Sequence, residues 1–185
     1  MTYDARMQAI NMDGDLGDWM GPILSQTAFL PTGSGCCGGQ LTVFDEYGGG
    51  IWNGVADHSI AFSMAWDTSA LYIGLKVIDD THQLNGDSGW NGDSVQVVLS
   101  TADRTSVACF FNYGLSNLGT MTLHHITGVN SGTGETRDTS DISEAAIVRN
   151  ERLGTTIYEL KYPAAAMGVV RLLPDSVLVH ATPGL

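Results

Sequence analysis

Basic residues are scarce in this 185-residue chain: eight Lys and Arg stand against twenty Asp and Glu, giving a formal net charge of −12. Neutralising phosphates requires a clustered positive field, so nucleic acid is not an expected partner, and anionic membrane surfaces are disfavoured for the same reason. Long apolar runs are also missing. Nothing approaches the roughly 18 residues that a spanning helix requires, so no membrane insertion is expected. The opening "MTYDARMQAI" lacks the basic and apolar regions of a signal peptide in this numbering. Cysteine is limited to three residues, with Cys36 and Cys37 adjacent in "GSGCCGG" and Cys109 in an apolar stretch. An odd count leaves at least one thiol free or paired between chains, and no Cys/His spacing resembles a zinc site.

What is present points to β-structure. Glycine is abundant at 23 residues while charged residues make up only 15%. That profile suits one all-β domain with many turns, of a size that can bury a core. The acid is unevenly divided, 15 Asp against 5 Glu. Short carboxylates concentrate in turns and in oxygen-ligand metal loops. With only Lys76 and Lys161 as lysines, and loops rich in Gly, Ser, Thr and Asp, the expected setting is extracellular or the cell surface.

The clearest local pattern is "HSIAFSMAWDTSALYIGLKVIDD", where Ile60, Phe62, Met64 and Trp66 alternate with Ser59, Ala61, Ser63 and Ala65. After a turn at Asp67–Ala70, the period of two returns in Leu71, Ile73, Leu75 and Val77, which predicts a β-hairpin with one apolar face. "SVQVVLS", "VACFFNYGL", "EAAIVRN", "TTIYELKYP" and "SVLVHA" are predicted strands, and "AAAMG" after Pro163 a short helical turn. Residues 128–141 and the Gly-rich 31–57 read as loops. Regular turn signals between short strands fit a β-sandwich.

Four motifs in order, "DGDLGDW", "AWDTSALYIGLKVIDD", "WNGDSVQVVLS" and "TTIYELKYPAAAMG", resemble family 9 carbohydrate-binding modules and the wider DOMON-like superfamily. The resemblance spans residues 10–168. It implies an immunoglobulin-like or jelly-roll-like antiparallel β-sandwich, covering residues 1–185 as one domain with an extended arm at 1–10. It also implies a structural Ca²⁺. Gln96 stands where the family strand usually carries Glu, and the segment after the proline strand is abbreviated, which predicts a sandwich short of its last strand.

The resemblance makes the Asp13, Asp15 and Asp18 loop a candidate calcium site, and Asp80 and Asp93 a second group at one end of the hairpin. Neither has the spacing of an EF-hand. Trp90 and Trp52, with Tyr47 nearby, are the candidate sugar platforms, because a pyranose presents apolar C–H groups to an aromatic face. Trp66 and Trp19 read as core. Asp93 is expected to accept backbone N–H bonds and anchor its loop.

No enzyme is expected. Glycoside hydrolysis needs two carboxylates facing each other across a cleft, and no histidine accompanies a nucleophile motif. Haem ligation through Met64, His124 or Met167 gives way to packing, since Met64 lies on an apolar strand face. Two functions remain: a non-catalytic module bound to a polysaccharide or glycan, or a subunit of an extracellular filament or surface layer. In the second, copies of the chain would exchange strands through the arm. The small side chains Ala61, Ser63 and Ala65 would suit close packing by another surface.

Overall fold

The computed structural model describes residues 5–20, 24–26, 53–85, 92–100, 105, 107–126, 135–136, 144–167 and 169–173. Ten strands follow in chain order: β1 Arg6–Met7, β2 Leu24–Gln26, β3 His58–Trp66, β4 Ala70–Asp79, β5 Ser94–Ser100, β6 Val107–Leu115, β7 Met121–Ile126, β8 Glu135–Thr136, β9 Glu144–Asn150 and β10 Thr155–Pro163. They form two sheets. The first runs β1-β3-β4-β10-β9 with β2 also paired to β3, and the second runs β5-β6-β7-β8. All pairs are antiparallel except β1 with β3. The chain is an all-β sandwich. The predicted hairpin is β3–β4, and "AAAMG" begins with a 3-10 turn at Ala164–Met167. The predicted strand at 176–181 lies outside the described residues. β1 lies in the arm read as a strand that could be donated to a neighbour, β2 and β7 are not among the predicted strands, and β8 falls inside a stretch read as loop.

Alternation explains the core. Met64, Trp66, Leu71, Ile73 and Leu75 point inward from the hairpin, joined by Tyr158, Leu160 and Tyr162 of β10. Phe111, Tyr113 and Leu123 meet them from the second sheet. Tyr162 lies 5.5 Å from the Phe111 ring and 6.2 Å from that of Tyr113, the latter edge-on, so aromatic contacts join the sheets. Met64 is 2% exposed within this cluster, in keeping with packing.

The outward face of the first sheet is covered by the chain's own N-terminal segment. Ile10 packs with Ala65, Ala70 and Tyr72, and Met12 and Trp19 border that small cluster. Trp19 therefore belongs to this outer layer, half-buried, and not to the inter-sheet core expected for it. It and Leu16 lie over Gly74 so closely that a Cβ there would be 2.9 Å from either side chain. The surface expected to pack on these small residues is thus intramolecular. So is the partner of the arm: Arg6 and Met7 pair with Ala65 and Trp66 of the same chain. Donating this arm to a neighbour would first have to undo that pairing.

Glu159 fastens the segment. Its place on β10, opposite Gly74 on β4 and Ala146 on β9, is an outward position, yet it is 0% exposed. Its Oε2 accepts the backbone N–H groups of Asp13 (2.8 Å) and Gly14 (2.5 Å), and its Oε1 accepts Trp19 Nε1–H at 2.8 Å. A buried carboxylate is tolerated only when donors surround it. Replacing Glu159→Ala leaves the Gly14 N–H and Trp19 Nε1–H donors unpaired, while Asp13 N–H keeps its bond to Asn11 O at 3.0 Å. We predict a loss of roughly 3 kcal/mol in urea unfolding, with faster amide exchange at Gly14. Stability within about 0.5 kcal/mol of wild type would show that the clamp contributes little.

Candidate functional site

The acidic loop near the start is a set of turns. Asp13 Oδ1 accepts Asp15 N–H at 3.0 Å and its Oδ2 accepts Asn11 Nδ2–H at 2.8 Å. Asp15 caps the 3-10 turn Leu16–Asp18 by accepting Gly17 N–H at 2.9 Å, and Asp18 accepts Asn11 N–H at 2.9 Å. Each carboxylate thus satisfies local donors, the usual role of Asp at caps and turns. Asp80 is exposed on the bend after β4. Among the described residues, no group of three or more His, Cys, Asp or Glu side chains is arranged to hold a metal ion.

Asp93 closes a loop. Its Oδ2 accepts Gln83 N–H at 2.5 Å, and its own N–H donates to Gln83 O at 2.8 Å. A bridge between Leu84 and Gly92 continues this pairing. His82, its side chain 5% exposed, stands alongside, with Nε2 2.7 Å from Leu115 O and Nδ1 3.5 Å from Asp93 Oδ2. A carbonyl offers no proton, so Nε2 is the donor, and Nδ1 faces the carboxylate. Burial pushes the Asp93 carboxyl up, with the nearby Asp79 charge adding to it, and this outweighs the Gln83 N–H bond and the His82 and His58 charges.

Beyond this loop base lies the outward face of the second sheet. On β6, Phe111 and Tyr113 point to the core, so Asn112 and Gly114 face away from it. Asn112 is paired across the strands with Gln96 of β5 and His124 of β7. Gln96 and its strand neighbour Val98 are exposed, as outward positions should be. Asn112 is 0% exposed, and neither its Nδ2 nor its Oδ1 has a hydrogen-bond partner among the described residues. Buried side-chain amides are nearly always satisfied, so this one marks a place for a polar partner. Leu84 sits over Gly114, where a Cβ would come within 2.4 Å of Leu84 Cδ2. β5, β6 and β7 carry no Lys, Arg, Asp or Glu.

Of the residues singled out from sequence, Asp93 lies at the loop base of this region, and Gln96 and His124 stand in register with Asn112 on the neighbouring strands. Trp90, Trp52, Tyr47, Cys36 and Cys37 lie outside the described residues. Asp13, Asp15 and Asp18 belong to the outer layer of the other sheet, bound to Glu159 through the loop backbone. Sequence reasoning missed Asn112, although a polar residue inside "CFFNYG" was a signal. Glu159 was missed because an acid between Ile157 and Lys161 reads as solvent-facing.

Neither a protein-family model nor a curated protein matches the sequence. Among solved structures, the chain is similar to a family 9 carbohydrate-binding module from Caldicellulosiruptor kristjanssonii in complex with glucose, at 12% identity and a TM-score of 0.46. The match covers 86% of this chain and 66% of that one. At that level the site is read from this chain's own residues.

Two measurements check the roles given to the acids. Because the folded-state pKa of Asp93 is raised, folding takes up a proton there, so its contribution is full below the ordinary carboxylate value and is lost as pH rises through the folded value. Asp93→Asn removes a contribution that falls with rising pH, so the stability of the variant relative to wild type should increase as pH rises from below the ordinary carboxylate value through the folded value. A pH-independent difference contradicts the assignment. Melting curves in EDTA and in millimolar CaCl₂ should coincide if the aspartates serve as caps; a rise with calcium instead assigns an ion to the Asp-rich loops.

Proposed function

We propose that the chain is a non-catalytic carbohydrate-binding domain, acting outside the cell, that holds a neutral glycan against the outward face of β5, β6 and β7. The observation that carries this reading is the amide row across β5 and β6: Gln96 is exposed to a ligand, and the Asn112 amide beside it, without a partner among the described residues, is buried and becomes available only when what covers it gives way. A side-chain amide offers a donor pair and an acceptor side by side, which matches neighbouring sugar hydroxyls. Three strands without an ionised carboxylate, ammonium or guanidinium leave nothing to neutralise a uronate or sulfate. A net charge of −12 opposes anionic polymers further. Trp90 enters the proposal as a stacking platform because it stands two residues before Gly92, at the paired base of the loop. Trp52 and Tyr47 are the further platforms that the reading names.

Native affinity electrophoresis through hydroxyethylcellulose, xylan and polygalacturonate tests the reading. Retardation is expected with a neutral polymer and not with polygalacturonate. Asn112→Ala should abolish it while the melting temperature stays near wild type, because no hydrogen bond is removed. Trp90→Ala should weaken it by about 0.5–1.5 kcal/mol beyond the area lost. Full retention by the Asn112 variant, or equal retardation by the acidic polymer, would sink the proposal.

A further inference from the structure

The β6–β7 turn holds the loop base of the proposed face through one exposed side chain. Asn117 Oδ1 accepts Leu84 N–H at 2.8 Å, Asn117 N–H donates to Leu84 O at 3.2 Å, and its Nδ2 donates to Asn85 Oδ1 at 2.9 Å. The residue thus gives residues 84–85 the hydrogen bonds that a neighbouring strand would otherwise supply. Leu84, held in this way, is 1% exposed although it belongs to neither hydrophobic cluster, and its side chain lies over Gly114. Gly114 is the next outward position after Asn112 along β6, about 7 Å away by strand geometry. The turn itself is organised separately: Ser116 Oγ accepts the N–H groups of Leu118 (3.3 Å) and Thr120 (3.0 Å).

We infer that Asn117 is a positioning residue for ligand binding: it fixes Leu84 as the wall beside the Asn112 amide. The inference rests on the proposed glycan reading of that face. A wall held by directed bonds is pre-organised, so ligand binding does not have to order it. Removing the side chain takes away its two bonds and leaves the backbone bond from Asn117 N–H to Leu84 O, so Asn112 stays in place while Leu84 is held less firmly over Gly114.

The test uses the whole chain with hydroxyethylcellulose as the probe in native affinity gels, alongside amide exchange at Leu84. Asn117→Ala should weaken retention roughly tenfold and speed Leu84 exchange, with the core amides of β6 unchanged. Asn117→Asp keeps an acceptor for Leu84 N–H, so it should restore Leu84 protection and most of the retention. Ser116→Ala perturbs the same turn without touching Leu84 and should leave retention unchanged. Wild-type retention by Asn117→Ala overturns the inference, as does an equal loss in Ser116→Ala, which would make the effect one of turn stability. Should the unsubstituted protein fail to bind any neutral polymer, the glycan reading falls. Unchanged Leu84 exchange in Asn117→Ala would then separately overturn the latch.

Discussion

One carboxylate, that of Glu159, joins the two ends of the described chain. It sits on the outward side of the first sheet with no exposure, and its donors come from Asp13, Gly14 and Trp19, more than a hundred residues earlier. Removing a charge from water costs several kcal/mol, and only directed donors offset that cost. The N-terminal segment supplies them and also brings Leu16 and Trp19 down on Gly74 and Ile10 onto Ala65 and Tyr72. Each half depends on the other. Without the segment Glu159 would be solvated, and without Glu159 the Gly14 N–H and the Trp19 indole N–H would lose their acceptor.

The two outward faces therefore differ in kind. On the first sheet the polar capacity is spent internally: Glu159 is fully engaged, and the aspartates of the covering loop cap its turns. On the second, a loop base is pinned by Asp93 and linked to the β6–β7 turn by Asn117, and the Asn112 side-chain amide has no partner among the described residues. The same short aspartate side chain that could ligate a cation here serves backbone donors, because those lie two residues away and need no ordering of distant groups.

The hairpin turn shows how local chemistry can be complete in itself. Asp67 accepts from Ser69 N–H and Oγ–H, Ala70 N–H and Tyr72 O–H. Burial alone would raise the Asp67 carboxyl, but these bonds hold it below its ordinary value. The Tyr72 hydroxyl is correspondingly pushed up to about 12 by burial and by its bond to Asp67. The rigid turn sets the register of β3 on β4, with Trp66 opposite Leu71.

The sequence by itself determined the strands with strong period two and the hairpin between β3 and β4. It also determined the apolar face of each and the place of the turn at Asp67–Ala70. Those features depend on neighbours within a few residues, so pattern suffices. Short edge pairings were not legible: β1, β2 and β8 are two or three residues long, and only the strand they lie against makes them strands. Nor were Glu159 and Asn112, both on outward positions that alternation assigns to solvent. The burial of Glu159 was decided by the N-terminal loop that crosses its face and donates to it. Alternation tells which side of a strand a residue faces; what lies on that side is a property of the assembled chain.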